Sequence, residues 1–191
     1  MNPRYVERKI AHLTREITEI DDYFYRVNEK EDRYLYAGML ERKRDDMVRS
    51  AVLQIHTAIE DNLNSLIICH FMGVGPEHRK TKLRTNSGRA LQKMLFGGGS
   101  IGFDMKLNFA MALGILNPTV KQRLTLLNTL RNKCSHNWIL NLPQRRGRRP
   151  REKKLPFLSY KGHDLHKVAV FEDFAAEYGP IYYKLFLKLH G

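Results

Sequence analysis

A chain of 191 residues, 42% of them hydrophobic, can bury a core of its own as one domain, and its net charge of +13 makes it strongly basic. The most apolar stretch, Ser65 to Val74, is too short to span a bilayer and is interrupted by His70. Residues 1–9 lack the apolar core of a secretory signal, and Cys69 and Cys134 form no CxxC. A reduced cytoplasmic protein is therefore expected, with no membrane contact, no cysteine-built metal site and no cofactor.

Helical periodicity dominates the chain. Ile10, Leu13, Ile17, Ile20, Phe24 and Val27 recur every three or four residues and predict an amphipathic helix. The same pattern returns from Asp45 to Phe71 through Val48, Val52, Ile55, Ile59 and Leu66, and residues 28–38 between them read as a link or as more helix. Residues 73–88, bounded by Gly73, Gly75-Pro76 and Ser87-Gly88, read as a basic loop. Two shorter helices, about 88–96 and 102–114, flank Gly97-Gly98-Gly99-Ser100. No Gly-Lys-Ser/Thr follows that run, so it is a turn rather than a phosphate loop. Asn117-Pro118 opens the next helix, with Asn as N-cap and Pro where no N–H is needed, and that helix runs to about Ser135.

Residues 143–156 form a basic, non-helical excursion. Phe157–Tyr160 and Leu165–Val170 can pair as a small hairpin around Lys161-Gly162. A last helix, 171–189, should kink or break at Gly179-Pro180. These elements predict an all-α fold, one domain over 1–191, with a possible β-hairpin near 157–170. No internal repeat is visible.

Charge is concentrated rather than spread. Arg79, Lys80, Lys82, Arg84, Arg89 and Lys93 occur across 79–93 with no acid among them. Residues 145–154 hold Arg145, Arg146, Arg148, Arg149, Arg151, Lys153 and Lys154 against Glu152 alone. Together the two segments carry +12 of the net +13. Charge packed this densely repels itself unless it faces a polyanion, which points to a nucleic-acid surface; a solvated linker or an anionic-lipid patch is the plainer reading. The run Arg145-Arg146-Gly147-Arg148-Arg149-Pro150 lacks an uninterrupted Arg-Gly-Arg-Pro core, so a phosphate clamp fits it better than minor-groove DNA binding.

The helix from Val120 carries the most informative anomaly. At ~100° per residue, Val120, Leu124, Leu127, Leu130 and Cys134 form one apolar stripe, and Arg131 falls inside it. A buried guanidinium cannot lose its proton and must find acceptors or a wet cleft. His136 lies about 140° from Arg131 around an ideal helix. The two share a site within one chain only if the helix unwinds at Ser135–Asn137 or the arginine reaches around; otherwise the stripe meets a second copy. Taken singly, Arg131 reads as a structural ion-pair partner and His136 as a cation favoured at a helix C-terminus.

The segment Leu130-Arg131-Asn132-Lys133-Cys134-Ser135-His136-Asn137-Trp138 resembles the R-x4-6-H motif of the HEPN superfamily, in which a polar residue usually follows the arginine, as Asn132 does here. It is similar to the R-x4-H-x-Y form of HEPN toxins encoded beside nucleotidyltransferase antitoxins, and to abortive-infection proteins with an Arg-Asn-x-Cys-x-His core. Trp138 stands where those toxins have tyrosine, which puts any regulation through that hydroxyl in doubt. The resemblance implies a HEPN-like helical bundle and a metal-independent endoribonuclease, a toxin or antiphage effector, active as a homodimer with two motifs in one cleft. A cognate antitoxin or defence-system partner is implied as well. In that reading His136 is the general acid or base, Arg131 binds the scissile phosphate, and Asn132 orients the phosphate or the histidine. Glu60, on an earlier helix beside His56, is the candidate acidic residue. Arg79, Lys80, Lys82, Arg84, Arg145, Arg146, Arg148 and Arg149 would bind RNA. The rival is a HEPN-like domain without catalysis that binds nucleic acid or a protein. His163-Asp164-Leu165-His166, near a turn and with no partner cysteine or acid pair, reads as surface rather than as metal ligands.

Overall fold

The computed structural model describes residues 8, 11, 12, 15, 16, 18, 19, 32–75, 78, 81, 83–97, 101–136 and 158–190, with the side chains of 32–41 and 136 outside that description. In chain order its elements are α1 (Asp32–Met72), α2 (Asn86–Phe96), α3 (Phe103–Ala112), α4 (Pro118–His136), β1 (Ser159–Tyr160), β2 (His163–Asp164) and α5 (Val168–His190). The fold of the described residues is all-α with a small antiparallel hairpin. Each described residue among 8–19 is helical, and the ambiguous stretch before Asp45 is helix from Asp32 onward.

Local chemistry explains where the helices begin and end. The Val120 N–H donates to Asn117 Oδ1 at 2.8 Å, so Asn117 caps α4 while Pro118 occupies the first turn. Thr85 does the same for α2 by accepting from the Gly88 N–H at 3.1 Å, which starts that helix two residues before the expected position. The C-terminal ends of α1 and α3 close on glycines in the left-handed region, Gly73 at φ 60° and Gly114 at φ 68°. Beyond them the Val74 N–H reaches Cys69 O at 3.1 Å and the Ile115 N–H reaches Ala110 O at 2.9 Å, the six-residue closure that satisfies otherwise orphaned carbonyls.

The hairpin is shorter than the sequence suggests. Ser159 pairs with Asp164 and Tyr160 with His163 around Lys161 and Gly162, whose φ values of 50° and 82° are those of a two-residue turn matched to strand twist. The expected strand over Leu165–Val170 does not form. Asp164 Oδ1 accepts from the His166 N–H at 3.0 Å, a local turn that ends β2, and α5 begins at Val168. The expected break at Gly179-Pro180 is also absent. Pro180 is exposed and the helix continues past it, with Tyr178, Ile181, Tyr182, Leu185 and Leu189 all buried along α5.

The chain divides into two compact units, and the divisions fall inside α1, α4 and α5. One unit comprises Gln54–Asn128 with Tyr178–Gly191. Its core holds Ile59, Leu63 and Ile67 of α1 with Leu95, Leu107, Leu124, Leu127 and Tyr178, all fully buried. Leu66, expected in the α1 stripe, is only half-buried; Leu63 and Ile67 take that face. The Tyr178 hydroxyl donates to Arg123 O at 2.9 Å, so this large ring carries no stranded polar end.

The other unit comprises Arg4–Leu53 with Thr129–Glu177. Its described core holds Val48 and Val52 of α1, Leu130 and Cys134 of α4, Leu158, Tyr160 and Leu165 around the hairpin, and Phe171 and Phe174 of α5. Tyr160 meets Phe174 edge-on at 5.6 Å. The Tyr160 hydroxyl donates to Glu177 Oε2, which also pairs with Lys161 Nζ, so the hairpin is stapled to α5 by an aromatic contact and a shared carboxylate. Because Asn117 supplies one side-chain bond to the first turn of α4, Asn117→Ala should cost about 1 kcal/mol of unfolding free energy. Urea denaturation of the full chain reads this directly.

Candidate functional site

The buried stripe of α4 consists of Leu124, Leu127, Leu130 and Cys134; Val120, expected at its start, is only half-buried. Arg131 departs from expectation. Its angular position lies within the stripe, yet the residue is half-exposed and its Nη1 donates to Asn132 Oδ1 at 3.0 Å. The long side chain lets the guanidinium leave the apolar face. Asn132 itself is exposed, so the bonded pair presents a cation and an amide at the surface. Helix α4 continues through Ser135 to His136; Asn137, the residue that could unwind it as a C-cap, lies outside the described residues. Along that unbroken helix the backbone positions of Arg131 and His136 point about 140° apart. The side chain of His136, together with Asn137 and Trp138, lies outside the described residues.

Cys134, between the two motif residues, is not a nucleophile in this state. It is 1% exposed, and burial pushes its thiol up to about 11, so it stays protonated at neutral pH.

Glu60 is occupied by a neighbour the sequence reading did not consider. Lys106 of α3 is 3% exposed and donates to Glu60 Oε1 at 2.5 Å and to Leu95 O at 2.7 Å. His56 Nδ1 lies 3.6 Å from Glu60 Oε2, and the His56 ring rests on Phe103 at 4.3 Å. Glu60 is thus the counter-charge of a buried lysine. The signal for this was in the sequence: Lys106 sits among Phe103, Leu107 and Ala110, the apolar positions of its own helix.

Of the expected RNA-contacting residues, Arg84 is exposed, as are Arg89 and Lys93 nearby. Arg79, Lys80, Lys82, Arg145, Arg146, Arg148 and Arg149, with the whole excursion 143–156, lie outside the described residues.

A second cluster emerges that sequence reasoning placed at the surface. His163 is exposed, but His166 is largely buried and bridges two carboxylates, with Nδ1 2.7 Å from Asp164 Oδ1 and Nε2 2.9 Å from Asp45 Oδ1. Asp45 Oδ2 accepts from Arg49 Nε at 2.6 Å, and Arg49 Nη1 donates to the Cys134 carbonyl at 3.3 Å. The Asp45–Arg49 spacing of four on a helix is readable from sequence; the 121 residues between Asp45 and His166 hide the other half. Burial by itself would lower the imidazole pKa, but hydrogen bonds to Asp45 and Asp164 outweigh it, and the net shift is upward from 6.5. For Asp45, burial pushes upward, while hydrogen bonds from His166 and Arg49 prevail and hold its carboxyl below its ordinary 3.8.

Among the described residues no three His, Cys, Asp or Glu side chains are grouped to hold a metal ion, and no helix is long and apolar enough to cross a membrane. Comparison with protein-family models, curated proteins and solved structures yields no match to this chain.

Two outcomes follow from these clusters. Glu60→Ala strands the Lys106 ammonium in an apolar setting and should destabilise by about 3 kcal/mol, whereas Glu60→Leu with Lys106→Met should recover much of that loss in chemical denaturation. His166, whose pKa is raised on folding, contributes stability that is complete below 6.5 and is lost as pH rises through its folded value. Asp45, whose pKa is depressed, contributes stability present above 3.8 and lost as pH falls through its folded value. Wild-type unfolding free energy should therefore fall more than that of His166→Asn as pH rises above 6.5. Parallel stability curves for the two proteins would remove the ion cluster from the account.

Proposed function

We propose that this chain is a HEPN-type endoribonuclease that cleaves RNA by attack of the substrate's own 2′-hydroxyl. The observation that carries this reading is the Arg131–Asn132 pair. An arginine drawn from an apolar stripe to the surface, and bonded to an uncharged amide, keeps its full charge for a phosphate. The resemblance of residues 130–138 to the R-x4-6-H motif and the concentration of positive charge in two segments support the same substrate class.

RNA supplies the nucleophile, so the protein's part is proton transfer and charge stabilisation. His136 takes the proton from the 2′-hydroxyl, or gives one to the departing 5′-oxygen; its ordinary pKa near 6.5 suits either task at neutral pH. Arg131 binds the non-bridging phosphate oxygens, where charge builds as the 2′-oxygen closes on phosphorus. Asn132 orients the guanidinium. The products carry a 2′,3′-cyclic phosphate on one side of the cut and a 5′-hydroxyl on the other. Because Arg131 and His136 project about 140° apart along α4, the reading places the arginine of one copy beside the histidine of another in a homodimer cleft. A toxin or antiphage role, a cognate antitoxin and a cytoplasmic setting belong to this proposal. Glu60 enters as the partner of Lys106 rather than as an acid of the site. The second reading, a HEPN-like domain that binds RNA or a protein without cutting, gains weight only if the motif variants below leave the protein's behaviour unchanged.

His136→Ala and Arg131→Ala should each reduce cleavage of a labelled RNA by a factor of about 100 or more, with native helical circular dichroism and RNA affinity within a few-fold of wild type. Mixing the two inactive proteins should restore part of the activity, since a mixed dimer holds one cleft with both side chains. Full activity in folded His136→Ala would overturn the mechanism, and failure of the mixture to recover would place both residues in one subunit.

A further inference from the structure

Helix α2 is short, yet both of its ends are fixed. Its first turn opens on Thr85, whose hydroxyl accepts from the Gly88 N–H. In its last turn Lys93 O accepts from the Gly97 N–H at 2.8 Å, and Met94 O from the Ile101 N–H at 3.1 Å. Leu95 O accepts from the buried Lys106 ammonium at 2.7 Å, and Glu60 holds that ammonium from α1. Three successive carbonyls that a helix end leaves open are thus satisfied. Gly88 and Leu95 are buried and Leu91 is half-buried, so these positions, three and four apart, define the inward face.

The opposite side carries different chemistry. At ~100° per residue Arg89, Lys93 and Phe96 fall within about 60° of one another, and all three are exposed. They make a row about 10 Å long at ~1.5 Å per residue. Arg84, also exposed, stands just before the Thr85 cap. Helix α2 contains no acid, and among the described residues none of these three cations is paired with a carboxylate. Phe96 is 48% exposed. Its neighbour Leu95 takes the inward position and is held there through its carbonyl, which leaves the Phe96 ring on the side of the two cations.

Such a row of positive charge favours an anion, and an exposed ring in the same row favours a flat apolar partner. A strand with unpaired bases supplies both, whereas a duplex keeps its base faces stacked inside. A bilayer supplies anions too, but α2 turns Leu91 and Leu95 inward and leaves one ring to insert. Even a single myristoyl chain holds a protein to a membrane only marginally. We propose that the outer row of α2 is a docking surface for single-stranded RNA, with an unpaired base stacked on Phe96 and phosphates on Arg89 and Lys93. This surface extends the ribonuclease reading above, since a strand to be cut must first be held, but it requires binding and not cleavage.

The test measures binding of a fluorescent 2′-O-methyl oligonucleotide of mixed sequence to the full-length protein across a salt series. That strand lacks the free 2′-hydroxyl that the proposed cleavage needs. Phe96→Leu keeps an apolar side chain but removes the ring face; it should weaken binding by about 10-fold and leave the salt slope unchanged. Arg89→Gln combined with Lys93→Gln should lower the slope of log affinity against log salt by about 1.4, at ~0.7 for each phosphate contact on a single strand. Phe96→Trp, which restores a ring, should bind at least as tightly as wild type. A counterpart strand of abasic nucleotides should not distinguish Phe96→Leu from wild type. Because the substituted residues are exposed, every variant should keep native helical circular dichroism.

Phe96→Leu binding the base-bearing strand as wild type does, or losing the abasic strand equally, would overturn the proposal. So would wild-type protein that binds no single strand, or Phe96→Leu losing phosphatidylserine vesicles while keeping the oligonucleotide. Binding that the α2 variants weaken, in a protein that cuts no RNA, sustains the surface and removes the ribonuclease reading. Cleavage by wild type with binding indifferent to α2 does the reverse.

Discussion

Charges taken partly out of water must each find partners, and the cluster around Asp45 is where this constraint joins the most elements. Asp45 holds Arg49, whose Nη1 donates to the Cys134 carbonyl of α4, and is itself held by His166 beside the hairpin. The cluster thereby ties the segment after the hairpin and α4 to the middle of α1. It also has a direction. The carboxylates raise the imidazole pKa, the imidazole fixes one carboxylate, and that carboxylate holds a guanidinium against the Cys134 carbonyl. Removing any member takes a charged partner from the next, a partly buried group.

The other unit obeys the same physics with a different outcome. Lys106 is buried among apolar neighbours and is tolerated because Glu60 and the Leu95 carbonyl both accept from it. A lysine in that position could be replaced by a methionine without loss of packing, so the pair adds little net stability against an apolar alternative. What it does supply is a fixed register between α1 and α3, since sliding either helix by one turn would strand a charge. The Glu60 carboxylate is thereby committed. The proposed chemistry is left to Arg131, Asn132 and His136, on a helix whose buried stripe is Leu124, Leu127, Leu130 and Cys134.

Much of the fold was legible because it is written locally. Among the described residues, periodicity located α1 to α5 to within a few residues, except at the start of α1, which residues 28–38 left open. Asn117-Pro118 announced the start of α4, and Lys161-Gly162 marked the centre of the hairpin. The misreadings arose where a local cue met tertiary context. Pro180 predicted a break, but burial of the residues on either side carries α5 across it. The β-prone stretch Leu165–Val170 gave way to a turn closed by Asp164, followed by α5. At the site, the stripe of α4 was visible as a pattern, whereas the exit of Arg131 from it depends on side-chain length that a helical wheel ignores. The His166 bridge was hidden for a different reason. A salt bridge across 121 residues leaves no spacing to read, and a lone histidine beside a turn looks like surface until its partners are placed.

The central claim concerns the identity of the nucleophile, and one substrate decides it. An RNA oligonucleotide cut by the wild-type protein should be compared with the same oligonucleotide carrying a single 2′-deoxy nucleotide on the 5′ side of the cut. The account predicts that the all-ribose strand yields a 5′-hydroxyl and a 2′,3′-cyclic or 3′-phosphate, and that the single deoxy substitution abolishes cleavage at that position. Cutting of the deoxy-substituted strand at the same position, or products ending in a 5′-phosphate and a 3′-hydroxyl, would contradict it.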